Sequence, residues 1–435
     1  MAVTTLAAAA LATNWPIPPV TEVHPLGNNW GEFQDYGGGP YFHNGIDIIT
    51  PDTAGAEVRA VRHGWVKGWG TIQAELHYRL AVCDTDFSFT GRAEGWLYAH
   101  IDPARGHKNL GDEVQEGELI GYLVDWPIDA TFDHCHFGRI SDTGATWQRF
   151  PNPTWWFIQN PLTIIRPNTD TRPPIFQNAR PGARFAFCNN NTSTYQNPTS
   201  LVGDVDIIAR VYDRTGTTTG DTVWDKLAPY ELDYMIRRSD GLVIVPWTIS
   251  VQFSNRLVGN LVNVVYKDDN TCNSRGDYDQ RDYYYIVTNT DGDTVIESSD
   301  TQGKWATAAV GDGDYWVIVR ATDVVGNTTI DSMLVRTANG VAVTNRPDAL
   351  LERPFTLSTS IGPGPRTVTF QLLNQGRVKL RLFDQSGRVV AHLCDKELSA
   401  GPHTIRFQPP GPGLFLVELV VPGVVRQLQK MVVVR

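Results

Sequence analysis

The chain has 435 residues, a length that corresponds to about two to four domains rather than one. Hydrophobic residues make up 41% of it and aromatic residues 10%, which is enough apolar material for several cores and excludes global disorder. The formal net charge is −10, so the positive charge expected of a nucleic-acid-binding protein is missing. Apolar runs stay well below the roughly 18 to 20 residues that a membrane-spanning helix needs, and no transmembrane segment is expected.

The chain begins with MAVTTLAAAALA, which resembles the apolar part of a secretion signal without its basic start. From there on, apolar runs are short and rich in β-branched residues, as in GIDII, DVDIIARVYD and RVKLRLFD. Gly, Asn, Asp and Pro separate these runs, and helical spacing of apolar residues is almost absent. The pattern predicts a mainly β fold along the whole chain.

Two proline-rich segments, 164–174 and 344–354, divide the chain and are predicted to be linkers. The predicted domains are therefore 14–165, 173–345 and 355–435. Eight of the ten histidines precede residue 137. Metal or acid–base chemistry is accordingly expected in the first of the three domains.

Two short patterns in that domain bring metal-ligating side chains together. His134 and His136 lie two residues apart in an apolar stretch, and on a strand this spacing places both imidazoles on one face. Gly45 is expected to let the backbone turn so that His43 and Asp47 face a common centre. Two imidazoles and one carboxylate suit a catalytic Zn²⁺, which keeps its fourth position for water. Either pattern alone also occurs by chance on surfaces.

Further motifs stand in a fixed order around these residues, from about His24 to Leu162. They are HPLGNNWGEFQDYGGGPYFHNGIDI, GAEVRAVRHGWVKGWG (55–70), WLYAHID (96–102), LGDEVQEGELIGYL (110–123), DHCHFG (133–138) and NPLTII (160–165). This ordered set resembles the lysostaphin-like, LytM-type zinc metallopeptidases, the endopeptidases that cut peptide bonds of peptidoglycan. The resemblance implies an antiparallel β metallopeptidase domain over 14–165.

The resemblance also implies roles for five residues. His43, Asp47 and His136 match the metal ligands of the family. His134 matches the histidine that acts as general base or acid, and His100 matches a second catalytic histidine beside the developing oxyanion. All five positions carry the expected residue type.

The neighbouring residues carry separate expectations. Cys135 should be buried on the opposite face of the strand, and Asp133 is a candidate acceptor that fixes an imidazole tautomer. The aromatic residues Trp147, Trp155, Trp156 and Phe157 are predicted to pack in a core, with carbohydrate stacking as the alternative.

The middle domain includes VGDGDYWVIVRATDVVGNTTIDSMLVRT at 310–337, which resembles the last strands of immunoglobulin-like modules. The resemblance implies a β-sandwich over 173–345. Its acidic residues Asp268, Asp269, Asp277 and Asp279 are candidates for Ca²⁺ binding, but their irregular spacing favours solvated surface charge.

The last domain includes VKLRLFDQSGRVVAHL, ELSAGPHTIRF, GLFLVELVV and RQLQKMVVVR. Their order resembles the C-terminal sorting domains of type IX secretion, which implies a β-sandwich over 355–435 and a secretion machinery as partner. Together with the signal-like start, it places the protein in a secreted, periplasmic or cell-surface location.

The five cysteines are scattered and odd in number, which excludes a disulfide framework and a Cys-x-x-Cys zinc site. Cys188 and Cys272 are the first pair to test for a bridge.

The sequence as a whole predicts a secreted zinc metalloendopeptidase that acts on peptidoglycan peptides. The alternative is a catalytically degenerate surface protein that binds cell wall or regulates another hydrolase. The bond that is cut and the oligomeric state stay open at this point.

Overall fold

The computed structural model confirms a mainly β protein in which the named strand pairs are antiparallel. The described residues form two compact units, one within Met1–Ala306 and Gly313–Thr337 and the other within Thr307–Asp312 and Ala338–Arg435. The structure describes residues 12–36, 39–50, 55–70, 78–105, 108–127, 130–147, 156–214, 226–276, 280–340, 356–357, 364–372, 375–385, 388–421 and 425–433.

The first twelve strands belong to residues 12–165. They are β1 (Leu26–Asn28), β2 (Phe33–Gln34), β3 (Tyr41–Phe42), β4 (Ile46–Ile49), β5 (Glu57–Arg59), β6 (Gly64–Gly70), β7 (Arg79–Cys83), β8 (Arg92–Ala99), β9 (Glu113–Val114), β10 (Leu119–Tyr122), β11 (His134–Thr143) and β12 (Trp156–Gln159). Eight of them form one sheet in the order β1-β4-β11-β8-β7-β6-β9, with β12 paired to β11. The strands β2 and β3 pair with each other, as do β5 and β10.

The eight-stranded sheet is held by apolar side chains whose alternation follows the strand period. Ile46 and Ile48 of β4 are fully buried, and so are Leu97 of β8 and Ile140 of β11. Because β4 and β8 flank β11 directly, this arrangement places the short β4 beside the histidine-bearing start of β11.

The middle strands form a five-stranded and a four-stranded sheet. They are β13 (Ile175–Gln177), β14 (Phe185–Asn189), β15 (Asp204–Tyr212), β16 (Glu231–Arg238), β17 (Val243–Gln252), β18 (Arg275–Gly276), β19 (Arg281–Asp282), β20 (Tyr284–Ile286), β21 (Trp305–Ala306), β22 (Gly313–Thr322) and β23 (Thr328–Thr337). The larger sheet centres on β15, which pairs with β13, β14, β20 and β21, and the smaller has the order β17-β16-β22-β23. Among the described residues, one α-helix spans Val262–Val265 in the first unit and another spans Thr307–Val310 in the second.

Residues 12–165 and the middle strands pack against each other within the first unit. The Tyr266 hydroxyl donates to the Gly31 carbonyl at 2.7 Å, and the Asn160 side chain donates to the Phe253 carbonyl at 3.0 Å. The rings of Phe42 and Phe253 meet edge to face with centroids 6.2 Å apart. The predicted boundary at 164–174 therefore falls inside one compact unit, and the three-domain division stays a prediction.

The second unit contains β24 (Thr356–Leu357), β25 (Arg366–Leu372), β26 (Gly376–Asp384), β27 (Val389–Leu398), β28 (Gly401–Phe407), β29 (Gly413–Val421) and β30 (Val425–Val433). They form a three-stranded sheet, β24-β25-β28, and a four-stranded sheet, β27-β26-β29-β30. Both sheets contribute side chains to one core, including Phe370 from the first and Leu380 and Val417 from the second. This is the packing of a β-sandwich.

All five cysteines lie among the described residues, and each is a buried free thiol. Cys188 and Cys272 belong to the same buried cluster without being bonded, so the structure does not form the bridge that was first to be tested. Within the described part of the chain, no helix is long and apolar enough to cross a membrane.

Candidate metal centre

Strand register brings the predicted ligands to one face of the eight-stranded sheet. His136 of β11 stands directly opposite Asp47 of β4, and His134 stands opposite Ile49. Opposite residues of antiparallel strands share a face, as do alternate residues along one strand. His134, His136 and Asp47 therefore project to the same side. His43 precedes β4, and its backbone N–H donates to the Glu32 carbonyl at 2.8 Å.

The donor atoms of the three predicted ligands converge. His136 Nδ1 lies 2.9 Å from Asp47 Oδ1 and 3.0 Å from His43 Nε2, and His43 Nε2 lies 3.3 Å from Asp47 Oδ1. Bond lengths of about 2.0 to 2.2 Å in a tetrahedral zinc site put neighbouring donors roughly 3.3 to 3.5 Å apart. The two nitrogens and one oxygen thus fit zinc in donor type and nearly in spacing.

Backbone carbonyls fix two of the imidazole rings. His43 Nδ1 lies 2.9 Å from the Asn29 carbonyl oxygen, and His134 Nδ1 lies 2.7 Å from the Phe132 carbonyl oxygen. A carbonyl only accepts, so Nδ1 carries a proton in both rings, and Nε2 is the nitrogen left to bind a cation or exchange a proton. His43 Nε2 faces the other ligands, and His134 Nε2 lies 3.8 Å from Asp47 Oδ2.

Asp47 Oδ2 accepts a hydrogen bond from the Asn28 side chain. The outer partners of the centre, Asn28, the Asn29 carbonyl and the Phe132 carbonyl, were not found by sequence reasoning. Two of them act through the main chain, and a carbonyl leaves no side-chain signal in a sequence.

The space beside the His136 ring leaves room only for a glycine at position 45. A Cβ atom at residue 45 would lie 2.5 Å from both Cε1 and Nε2 of the His136 ring, closer than real contacts allow. Its φ does not lie in the left-handed region. The sequence predicted a glycine that turns the backbone, and the structure shows a glycine that makes room for a ligand ring.

His100 reaches the same face from the end of β8. It adopts a left-handed backbone with φ of 64°, and its ring centroid lies 4.4 Å from that of His134 and 6.3 Å from that of His136. Trp126 packs edge-on against both neighbouring rings, at 4.9 Å from His100 and 4.8 Å from His134. Sequence reasoning missed Trp126, which lies outside the motifs quoted above.

Asp133 holds the Trp126 segment in position. Its Oδ1 accepts a hydrogen bond from the Trp126 backbone N–H at 2.7 Å, while the tautomer of His134 is set by the Phe132 carbonyl. Cys135 between the two histidines is fully buried, as predicted.

The electrostatics of the centre favour a charged carboxylate among imidazoles. Burial by itself raises the pKa of Asp47, but the charges and hydrogen bonds of His43, His134 and His136 lower it well below its usual range. Burial lowers the pKa of His134, and it lowers that of His136 to about 4. Burial also opposes a proton on His43, but Asp47 and Glu32 outweigh it and raise the pKa of this ring. A cation that binds there displaces the proton of His43.

The aromatic residues near β12 take different roles. Trp147 is fully buried in a core cluster, and Phe157 packs against that cluster and stands edge-on to His136 at 6.1 Å. Trp156 is 42% exposed and contacts the guanidinium groups of Arg92 and Arg256 at 4.5 and 4.2 Å. Core packing thus describes Trp147 and Phe157, while Trp155 lies outside the described residues.

No protein-family model matches this chain, and no curated protein matches it. The solved structures to which this chain is similar are distant. A complex of SpoIIIAH and SpoIIQ is 17% identical, with 29% of this chain and 90% of that chain covered and a TM-score of 0.24. Dimeric latent PorU from Porphyromonas gingivalis is 14% identical, with 86% of this chain and 33% of that chain covered and a TM-score of 0.20.

A tetra-tandem repeat from the extending region of a large adhesion protein is 12% identical, with 84% of this chain and 73% of that chain covered and a TM-score of 0.17. TM-scores this low carry no argument about the present chain.

Proposed function

We propose that residues 14–165 form a zinc metalloendopeptidase that hydrolyses peptide bonds of peptidoglycan stems or cross-bridges. The proposal rests on one observation: donor atoms of His43, Asp47 and His136 lie within 3.3 Å of one another. The order of the motifs from His24 to Leu162 supports peptidoglycan peptides as the substrate class.

His43, Asp47 and His136 would hold the ion, because they offer two imidazole nitrogens and one ionised carboxylate. Zinc, when bound, supplies a Lewis acid that polarises a carbonyl oxygen and makes a water molecule more acidic. Asn28 and the Asn29 carbonyl keep the ligands Asp47 and His43 in position through their hydrogen bonds.

His134 moves the proton in this proposal. Its Nδ1 proton is engaged by the Phe132 carbonyl, so Nε2 is the atom that accepts a proton from the attacking water and later gives it to the leaving amine. His100 lies beside it, and in this proposal it donates a hydrogen bond to the negative charge that develops on the scissile carbonyl. Trp126 packs against both rings and keeps them oriented.

The second β unit and the signal-like start support a secreted, periplasmic or cell-surface location, with a secretion machinery as partner of residues 355–435. Both assignments belong to the proposal. They predict that the protein reaches the compartment in which peptidoglycan is found.

The test combines metal analysis with digestion of defined muropeptides by the full chain. The purified protein is expected to hold about one zinc after dialysis and to cut muropeptide bonds. His136→Ala should lose zinc and activity together. His134→Ala should keep the zinc and lose about 10²- to 10⁴-fold in kcat, the usual contribution of a general base.

His63→Ala is the matched control, because His63 is an exposed histidine of the same domain paired with Glu113 at 2.7 Å. It should keep both zinc and activity. A folded protein that takes up no zinc would refute the proposal. Zinc binding with retention on purified sacculi but without cleavage would favour the degenerate wall-binding alternative.

A further inference from the structure

A second group of metal-ligating side chains lies where the ends of middle strands meet. Asp213 follows β15, Asp323 follows β22, and Asp170 lies in the segment that leads to β13. Each offers one carboxylate oxygen, and these three atoms lie within 4.8 Å of one another. The cluster thus joins a strand end from each of the two middle sheets to the segment between residues 165 and 175.

All three carboxylates are withdrawn from water. Asp213 is 1% exposed, Asp323 is 2% exposed, and the side chain of Asp170 is 2% exposed. Three negative charges in such a space repel one another strongly unless protons or a cation neutralise them. Arg172 approaches Asp170 at 3.8 Å, but its side chain is 36% exposed and its single charge cannot balance three carboxylates.

Asp213 is the unsatisfied member of this cluster. Among the described residues, neither of its carboxylate oxygens has a hydrogen-bond partner of normal geometry, although its backbone N–H and carbonyl both pair with Leu227. Oδ2 of Asp170 likewise has no partner in the described part of the chain. Buried polar atoms are almost always paired, so these oxygens are available to bind a cation.

Asp323 is held rigidly in the loop that follows β22. Its Oδ1 accepts hydrogen bonds from three backbone N–H groups, those of Val325, Gly326 and Asn327, at 2.7 to 2.9 Å. The Asn327 side chain donates both to Asp323 Oδ2 at 2.7 Å and to the Asp170 carbonyl at 3.0 Å. The loop therefore fixes the distance between two of the three carboxylates before any ion binds.

We infer that Asp170, Asp213 and Asp323 form a structural calcium site. The donor set contains only oxygen, which favours a hard cation over zinc. Oxygens that share one Ca²⁺ at about 2.4 Å can be up to roughly 4.8 Å apart, which agrees with the observed limit. Mg²⁺ keeps several waters and seldom takes three carboxylates, so calcium is the better fit.

Repulsion within the cluster agrees with this assignment. Burial, together with the carboxylates of Asp323 and Asp170, raises the pKa of Asp213 well above its usual range. In the absence of an ion, Asp213 therefore holds a proton in the fold more tightly than in the unfolded chain. A bound cation replaces that proton and joins the strand ends to the segment before β13.

The sequence offered other acidic residues as candidates for calcium and favoured solvated surface charge for them. Asp269 instead accepts hydrogen bonds from the Tyr195 hydroxyl at 3.0 Å and from the backbone N–H groups of Thr271 and Cys272. Asp268 is not part of the cluster, and Asp277 and Asp279 lie outside the described residues. Spacing along the chain did not identify the site because its three members come from separate loops.

The experiment uses the full chain, stripped with chelator and titrated with CaCl₂ by calorimetry. Saturable binding is expected, with half-saturation on the order of 10⁻⁴ to 10⁻³ M or tighter. Calcium at about 100 times that concentration should raise the melting temperature of the unit that contains the site by roughly 4 °C. MgCl₂ under the same conditions should bind more weakly.

Asp213→Asn has nearly the same shape and removes one charge, so it should fold and should lose the calcium-induced shift. Asp314→Asn is the matched control, because Asp314 is an aspartate of β22 paired at the surface with Arg336 at 3.0 Å. It should keep the shift, and so should His136→Ala, which separates this site from the histidine centre.

Failure of the wild-type chain to bind calcium up to about 10 mM would overturn the assignment. So would tighter binding of Mg²⁺, or undiminished calcium binding by Asp213→Asn.

Discussion

Asp47 in the histidine centre and Asp213 in the aspartate cluster are equally removed from water, at 4% and 1% exposure. Their pKa values nevertheless move in opposite directions. Burial raises both, but three histidines around Asp47 reverse the effect, whereas two carboxylates beside Asp213 add to it. Burial alone therefore does not determine the charge of an interior carboxylate, and the neighbouring groups decide it.

The two surroundings also suit different cations. The histidine centre, formed by His43, Asp47 and His136, offers nitrogen and oxygen donors. Its imidazoles partly offset the negative charge of Asp47, as suits zinc. The aspartate cluster offers only oxygen and has an excess of negative charge, as suits calcium. The same chain thus holds one centre proposed for chemistry and one proposed for structure.

The largest expected contrast is between Asp47→Asn and Asp213→Asn in metal-free protein. Removing the charge of Asp47 leaves its histidines without their buried partner, which should lower the free energy of unfolding by about 3 to 5 kcal/mol. In the metal-free fold Asp213 must either hold a proton or repel its neighbours, and the amide of Asp213→Asn does neither, so this variant should raise that free energy by about 1 to 4 kcal/mol. Denaturant unfolding in the presence of chelator measures both. Changes of the same sign in the two variants would break the comparison.

Glu32 is a third buried carboxylate. Positive charges near it oppose the effect of burial on its pKa, but unlike those around Asp47 they do not reverse it. Its Oε1 accepts a hydrogen bond from the Ala228 N–H at 3.1 Å. Burial, opposed by the charges of Arg281 and His43, raises its pKa from 4.5 to about 7. Because the folded value exceeds the unfolded one, the stability that Glu32 contributes is complete below about pH 4.5 and is lost as the pH rises through 7.

This shift corresponds to about 3 kcal/mol. Relative to Glu32→Gln, whose amide does not titrate, the wild-type chain should lose that amount of unfolding free energy between roughly pH 4.5 and 7.5. Denaturant unfolding of both proteins across this range gives the difference. Parallel stability curves for the two proteins would show that Glu32 is charged throughout.

Gly45→Ala tests how tightly the histidine centre is built. The added Cβ would meet the His136 ring at 2.5 Å, so the ring must move and zinc affinity should fall about 10- to 100-fold. Gly39→Ala is the control, because a Cβ at residue 39 meets nothing within 4 Å. Competition with a zinc-binding dye measures both affinities. Equal affinities would mean that His136 does not need its observed position.

Asn29→Ala should have the smallest effect. Its side chain donates to the Ala228 carbonyl at 3.0 Å and accepts from the Trp30 N–H at 2.8 Å, so the variant should lose about 1 kcal/mol of stability. The partner of His43 is the carbonyl of residue 29, which any residue retains. Zinc affinity should therefore change less than in Gly45→Ala. A larger loss of zinc affinity in Asn29→Ala would show that the contact with the middle strands supports the metal centre directly.

Local patterns in the sequence predicted the features that depend on neighbouring residues, namely the strands and the faces of their side chains. Alternation with a period of two indicated strands, and it placed His134 and His136 on one face. The mainly β class followed from short apolar runs between turn residues and was confirmed. Gly45 was recognised as necessary, but for a turn rather than for room beside a ring, because the partner ring lies on a strand far along the chain.

The sequence alone predicted a mainly β chain, which the structure confirms, and it proposed five residues for zinc chemistry. Only the tertiary structure set His136 opposite Asp47, since the register of two distant strands is fixed by the packing of the whole sheet. Only the tertiary structure gathered Asp170, Asp213 and Asp323, because their loops meet through contacts between sheets and leave no periodic signal in the chain. Secondary structure follows from residues that are close along the chain, whereas the charge around a buried group depends on which distant segments the fold brings to it.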